Sequence, residues 1–552
     1  MVKKVFDKKL LFAMWASQNK NYGINQIYDS SLKRLFKNII FFDPQELIYK
    51  KSKEEMNKRF LELVKKEKPD FILLYLIYEE FYLETLASIK KINPKIKIIN
   101  FCGEENKLFE NTSMPRFSFI DYFFIIQQEY VKSYKKYNKK AFVTYGADPV
   151  KFKPSPNTVK TQDVTFIGTP IVDRVDYVRY LLKKGINIKV YGSGWEEYSD
   201  LKDIWGGKVS NDEYKKIIRT SKINLCFSKQ YGGKTHVLER VPQFVLSKAF
   251  FLVESCPQYN LIFSEGKDFV SFKDKQDLFN KINYYLNNEK LRNLIISRAY
   301  KNSLRKLSID KLLEKAFIKI DKDNSYLNSC PDFKNNNVFI LKEKDLKLDK
   351  KILRNKIGTF KYISFKEKGD EFLNYNNFLQ IRGIELTKKP IACCNWYMYS
   401  KSLRDYASVS GFLSFWLLSR TKFLKLLNPC QLVVKRDYFL KNLKSFKSFK
   451  KMKTKLIKKE NVVFISYPLV RVSRIRNPDY SYFKKAIITP HFDNTLRALA
   501  FQKKLFTNFY LYNLIIVGIL GNLFLLKYLF KRAYIKSNFL RSYLVLDNKS
   551  YN

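Results

Sequence analysis

Two glycine-bearing turns and one acidic turn hold the residues whose types and spacing can do chemistry. Val164-Thr-Phe-Ile-Gly-Thr-Pro170 reads as a buried strand ending at Gly168, with Thr169 placed to cap a helix and Pro170 at its first position. Ile171, Val175, Val178 and Leu182 would then line one face of that helix. Such a turn aims backbone N–H groups and the positive helix end at an anion, and Arg174, one turn in, reaches the same phosphate. The same residues also suit any strand-to-helix connection. Tyr191-Gly-Ser-Gly-Trp195 repeats the pattern after another strand. Phe101-Cys-Gly-Glu-Glu105 leaves Glu104 and Glu105 just past a strand, where a carboxylate either serves as base toward a hydroxyl or forms a solvated acidic turn. His236 and His491 are the only histidines, so a His-rich metal centre is not open to this chain.

These turns need elements to hold them. The chain has 552 residues, 46% of them hydrophobic and 16% aromatic, which excludes general disorder and suits three or four domains. Its net charge of +51 favours anionic partners, and the excess is uneven: +30 lies from Pro331 onwards and +21 before it. Seven cysteines, an odd number with no C-x-x-C pair, suit buried thiols in a reducing, intracellular compartment. The apolar run Leu10–Trp15 reads as a first buried strand rather than a secretory signal.

From that strand on, short runs rich in Ile, Phe and Tyr alternate with amphipathic stretches: Asn38–Phe42, Phe71–Ile77, Ile96–Phe101, Tyr122–Ile126 and Ala141–Tyr145. That is the pattern of a parallel sheet wrapped by helices, giving an α/β domain over 1–155. Two prolines in Lys151–Asn157 break the period, and a second α/β series fills 160–325 through Val164–Ile167, Ile186–Tyr191, Ile223–Phe227, Phe250–Val253 and Phe269–Phe272. Ser210 and Glu213 predict a capping box. Two such domains imply a cleft at the carboxyl ends of their strands.

The ordered set Phe166-Ile-Gly-Thr-Pro170, Asp173-Arg174, Tyr191-Gly-Ser-Gly-Trp195, Val209–Tyr214, Ser221–Ser228, Arg240-Val-Pro-Gln243, Phe250–Glu254 and Glu265–Val270 resembles the donor domain of the CgeB-type glycosyltransferases, relatives of the nucleotide-sugar-dependent GT-B enzymes. The resemblance covers about 160–320 and implies a GT-B fold of two Rossmann-like domains, with the donor on the second and the acceptor on the first. It implies a nucleotide-sugar substrate, no cofactor and no metal. Arg174 and Arg240, with backbone N–H groups and Lys229 or Lys234, would neutralise the diphosphate, and Ser228 would face the cleft. Gly168, Thr169, Gln243 and Glu254 complete the implied donor site, with Glu104 and Glu105 as catalytic candidates on the acceptor side. Gln243 stands where such enzymes usually have a ribose-binding Glu, and Thr235 where the retaining group has a second Glu, so stereochemistry stays open. Glu239 is also near, and reads as structural.

The region 335–485 carries strand-like runs and resembles, more faintly, the later half of a GT-A glycosyltransferase without its D-x-D motif, which implies a degenerate, non-catalytic module. Lys441–Lys459 sets Leu443, Phe446, Phe449, Met452 and Leu456 at near-helical spacing among nine lysines, suiting either a core-covering helix or a membrane surface. In the tail, 486–552, Phe509–Leu526 is apolar with basic flanks, open to a buried helix, membrane attachment or a span. The expectation is a cytoplasmic glycosyltransferase of bacterial surface-glycan or envelope biosynthesis, peripheral at the inner membrane face, with a glycan or lipid-linked acceptor and no nucleic-acid partner. The alternative is a non-enzymatic glycan- or membrane-binding protein with a decayed site.

Overall fold

The computed structural model describes residues 6–14, 30–44, 46–47, 51, 53–75, 80–103, 105, 109, 113–155, 158–171, 173–229, 235–324, 326–327, 337–366, 371–372, 376–400, 405–408, 432–442, 452, 456 and 461–472. Glu104, Lys234 and the run 509–526 lie outside them. So does most of 441–459, where Met452 and Leu456 are buried in the core of the third region.

The first sheet is built from β1 (Phe6–Met14), β2 (Phe36–Phe42), β3 (Phe71–Tyr75), β4 (Lys97–Cys102), β5 (Tyr122–Ile125) and β6 (Lys140–Val143), in the order β2-β1-β3-β4-β5-β6. All its pairs are parallel. Near-continuous apolar strands of this kind are buried on both faces. Alternate residues part accordingly: Leu11, Ala13, Ile72, Leu74, Ile98 and Phe123 join one core, and Leu10, Phe12, Leu73, Ile99 and Phe124 the other.

The second sheet contains β7 (Gln162–Ile167), β8 (Ile188–Tyr191), β9 (Ser221–Cys226), β10 (Phe251–Glu254) and β11 (Val270–Phe272), in the order β11-β10-β9-β7-β8 and again wholly parallel. Counted from β7, this is the strand order of the first sheet. In each, the order reverses beside the first strand, which opens a crevice at the carboxyl ends. The α/β class and the GT-B arrangement of two doubly wound units are therefore present.

The units are joined twice. Where the chain crosses forward, Ala147 N–H donates to Leu307 O (2.9 Å), and where it returns, Ile309 N–H donates to Ala147 O (3.0 Å). A Cβ on Gly146 would lie 2.6 Å from Leu307 O, so only glycine lets the crossings touch. The helix Ile309–Lys322 then packs back on the first sheet. Its Phe317 sits among Phe6, Phe36, Phe71 and Phe124, with ring centroids 4.8–5.9 Å away. Arg34 pairs with Asp310 (2.7 Å) and Asp148 (2.9 Å), and Lys97 donates to the carbonyls of Ile320 and Asp321 at the helix end (2.7 Å each).

The third sheet, β12 (Val338–Lys342), β13 (Tyr362–Lys366), β14 (Glu371–Phe372), β15 (Ile391–Ser400), β16 (Asp405–Ser408), β17 (Leu432–Lys435) and β18 (Val462–Val472), is mixed, in the order β12-β13-β17-β15-β18-β14 with β16 on β15. It shares a core with the first sheet on the face away from the second unit, and Tyr137 Oη donates to Leu386 O (3.1 Å). Among the described residues no helix is long and apolar enough to cross a membrane.

Candidate functional site

At the second unit's crevice, β7 ends at Gly168, whose N–H donates to Tyr191 O (2.8 Å) and whose carbonyl accepts from Trp195 Nε1 (2.5 Å). Gly192 has φ +115°, and a Cβ there would meet Gly168 O at 2.9 Å. The second glycine loop thus buttresses the first, with Trp195 fully buried beneath it.

The turn that follows differs from expectation. The helix runs Arg174–Lys183, its N-cap is Asp173, and no side chain caps it. Thr169 does not cap; its carbonyl accepts from Ile171 N–H (2.9 Å) and from Arg174 Nη1 (3.1 Å), and Pro170 has no N–H to give. Arg174 is buried, its guanidinium over the Phe166 ring at 5.5 Å, and Nη2 donates to Phe227 O (3.3 Å). Its terminal nitrogens therefore tie the ends of β7 and β9 together rather than reach into the crevice.

Ser228 also departs from the reading that it faces the cleft. It is fully buried, with its hydroxyl 3.3 Å from that of Tyr259, because β9 carries its burial past its last paired residue. Glu254, at the end of β10, is buried and accepts from Lys229 N–H (2.8 Å); burial holds its carboxyl above the usual range. Lys229 Nζ pairs with Asp173 (2.8 Å).

Arg240 is the exception. It opens the helix Arg240–Leu246, is partly exposed, and sets Nη1 and Nη2 at 3.0 and 3.4 Å from where a Cβ on Gly168 would stand. No hydrogen bond or ion pair engages its guanidinium among the described residues. Gln243 lies one turn on, and its Oε1 accepts from Tyr214 Oη (2.6 Å). Burial pushes the Tyr214 phenol up, so it stays a donor and leaves the Gln243 amide NH2 without a hydrogen-bond partner among the described residues. Tyr214 belongs to the helix Asn211–Thr220, whose capping box between Ser210 and Glu213 forms as expected.

On the first unit, Glu105 is 1% exposed, so it is not a solvated turn residue. Burial pushes its carboxyl well above the usual range. The Cys102 thiol and the amides of Glu105 and Gln127 oppose that rise from nearby, but none forms a hydrogen bond of good geometry, so desolvation wins. Tyr145 Oη spans the units to Leu238 O (2.8 Å). Sequence reasoning assigned no role to Tyr145, Tyr214, Tyr259 or Glu129, although the Val209–Tyr214 run and the capping box pointed near Tyr214. The five described cysteines are buried, and no disulfide joins any of them among the described residues.

Residues 174–316, about a quarter of the chain, match the family described as glycosyl transferase-like. No curated protein matches the chain. Among solved structures, HepE of Anabaena in complex with UDP and glucose is 10% identical and covers 57% of this chain and 100% of its own, with a TM-score of 0.42. Sucrose-phosphate synthase of Thermosynechococcus elongatus gives 8%, 57%, 99% and 0.43. A glycosyltransferase of Rickettsia africae gives 12%, 58%, 100% and 0.41.

Proposed function

We propose that the chain is a glycosyltransferase that binds a nucleotide-activated sugar in the crevice of its second unit and transfers the sugar to an acceptor held against the first. The observation that carries this reading is Arg240, a cation with uncommitted donors set over the Gly168 turn at the point where the strand order reverses. A diphosphate leaving group needs positive charge and hydrogen-bond donors where its own charge develops, and Arg240 with the amide NH2 of Gln243 supplies both. Arg174 contributes a fixed positive field from beneath, through a position that does not require it to touch the ligand. The glycosyl transferase-like match over 174–316 includes Arg240 and Gln243 and begins just past the Gly168 turn.

The finer assignment is CgeB-type, with the third region as a non-catalytic, GT-A-like accessory that holds the first unit's outer face. The net charge of +30 from Pro331 onwards, third region and tail together, fits an anionic membrane that presents a glycan or lipid-linked acceptor of the bacterial envelope. The test is titration of the full chain with a panel of nucleoside diphosphates. At least one should bind, and Arg240→Ala should weaken it about 10- to 100-fold, the loss of a charge-assisted hydrogen bond worth roughly 1.5–3 kcal/mol. A chain that binds none of them is not this enzyme.

A further inference from the structure

At the carboxyl end of the first sheet, β4 runs into Gly103 and Glu105, and β5 into the short turn Gln128–Tyr130 that carries Glu129. Two carboxyl groups belong to that edge. Glu105 is 1% exposed, and neither of its oxygens has a hydrogen-bond partner among the described residues. Glu129 is partly exposed and its Oε2 is likewise unpartnered. Buried carboxyl oxygens are ordinarily satisfied, so a pair left this way marks a place where a ligand group is expected.

The position of Glu129 says which ligand group. Its turn, Gln128–Tyr130, packs against the turn Pro257–Leu261 of the second unit, which follows the end of β10. Glu129 therefore stands where the carboxyl ends of the two sheets approach each other. There the acceptor, on the first unit, meets the donor sugar, on the second.

We infer that Glu129, rather than the fully buried Glu105, is the base that takes the proton from the acceptor hydroxyl, an inference that rests on the nucleotide-sugar reading above. The environments of the two acids divide the labour. Burial holds Glu105 in its protonated form and closes it off from an acceptor, while Glu129 opens partly to solvent. In the step itself the acceptor oxygen attacks the anomeric carbon from the side opposite the diphosphate. The new C–O bond forms as the bond from that carbon to the phosphate oxygen breaks. The electron pair leaves with the diphosphate, and the acceptor proton passes to the Glu129 carboxylate. The sugar is therefore transferred with inversion.

The experiment uses the full chain and nucleotide sugars with water as acceptor. It follows diphosphate release, the anomer first formed by proton NMR, and UDP affinity in parallel. Glu129→Gln should lower release at least about 100-fold while UDP affinity stays within about threefold, Glu129→Asp should restore part of the rate, and the first-formed sugar should be inverted. Release by Glu129→Gln at the wild-type rate, loss of release in Glu105→Gln but not in Glu129→Gln, a retained anomer, or nucleotide binding with no release in the wild type each overturns the inference and leaves the donor-binding reading standing. A wild-type chain that binds no nucleoside diphosphate overturns that reading, and this inference with it.

Discussion

Counted from its own first strand, each parallel sheet begins 2-1-3-4-5, yet the two crevices that this order opens are furnished differently. The second unit spends its polar groups on itself. Arg174 bonds two carbonyls, Lys229 meets Asp173, Glu254 accepts from Lys229, and Tyr214 holds Gln243, while Arg240 stays uncommitted among the described residues. The first unit leaves two acids with unsatisfied oxygens at the corresponding edge among the described residues. One plan thus yields a largely satisfied wall that offers Arg240 and, opposite it, a wall whose acids await a partner. Strand order sets where a crevice opens; the residues at strand ends decide what enters.

The comparison can be broken first at the join. Phe317 belongs to the helix that follows the second unit, but its ring fills a socket made by four phenylalanines of the first. Phe317→Ala should cost about 3–5 kcal/mol of unfolding free energy, the range for emptying an aromatic site in a packed core. Denaturant titration followed by tryptophan fluorescence measures it. If the cost is below about 1 kcal/mol, the units are not held together through this helix.

Arg174 tests whether the second wall is structural. Arg174→Ala removes both bonds between the ends of β7 and β9 and should lower stability by about 1–3 kcal/mol. Arg240→Ala should leave the melting temperature nearly unchanged while weakening diphosphate binding. If the two variants exchange these outcomes, the committed and uncommitted cations have been assigned the wrong way round.

Much of this architecture can be read before the structure is consulted. Short buried strands announce themselves through runs such as Phe71–Tyr75 and Val164–Ile167, and Ser210 with Glu213 marks a helix start, because these signals are local. The failures have local causes too. Thr169 has the right type to cap, but the helix begins only at Arg174 with Asp173 at its N-cap, so Thr169 does not stand at the free N–H groups. Ser228 and Glu254 stand at strand ends where exposure is the usual outcome, and the packing of Tyr259 and the Lys229 amide covers them. Others are non-local. The amphipathic pattern of Ile309–Lys322 predicts a buried face without saying that the first sheet covers it. Glu129 sits in a three-residue turn with no motif, and its importance comes from the packing of that turn against Pro257–Leu261 in the other unit. The third sheet pairs β13 with β17 and β15 with β18, contacts that no spacing rule specifies.

The smallest expected effect probes the unsatisfied wall. Glu105→Gln keeps the shape of the side chain and removes its ability to ionise, so the difference between the two chains isolates one titration. In the folded protein burial holds the Glu105 carboxyl well above its ordinary range; in the unfolded chain it titrates normally. Below the unfolded value both states keep the proton, and the stabilising effect of the raised value is complete. As pH rises, the unfolded chain releases the proton and the folded chain does not, so wild-type stability falls relative to Glu105→Gln. The gap should open at about 1.4 kcal/mol per pH unit and level off once the folded carboxyl itself ionises. Urea titrations of both chains between about pH 4 and 8 read this directly, with titrations elsewhere cancelling to first order. A gap that does not change with pH would mean that the carboxyl is ionised and paired in the folded protein, and the contrast between a satisfied second wall and an unsatisfied first one would fail at its central residue.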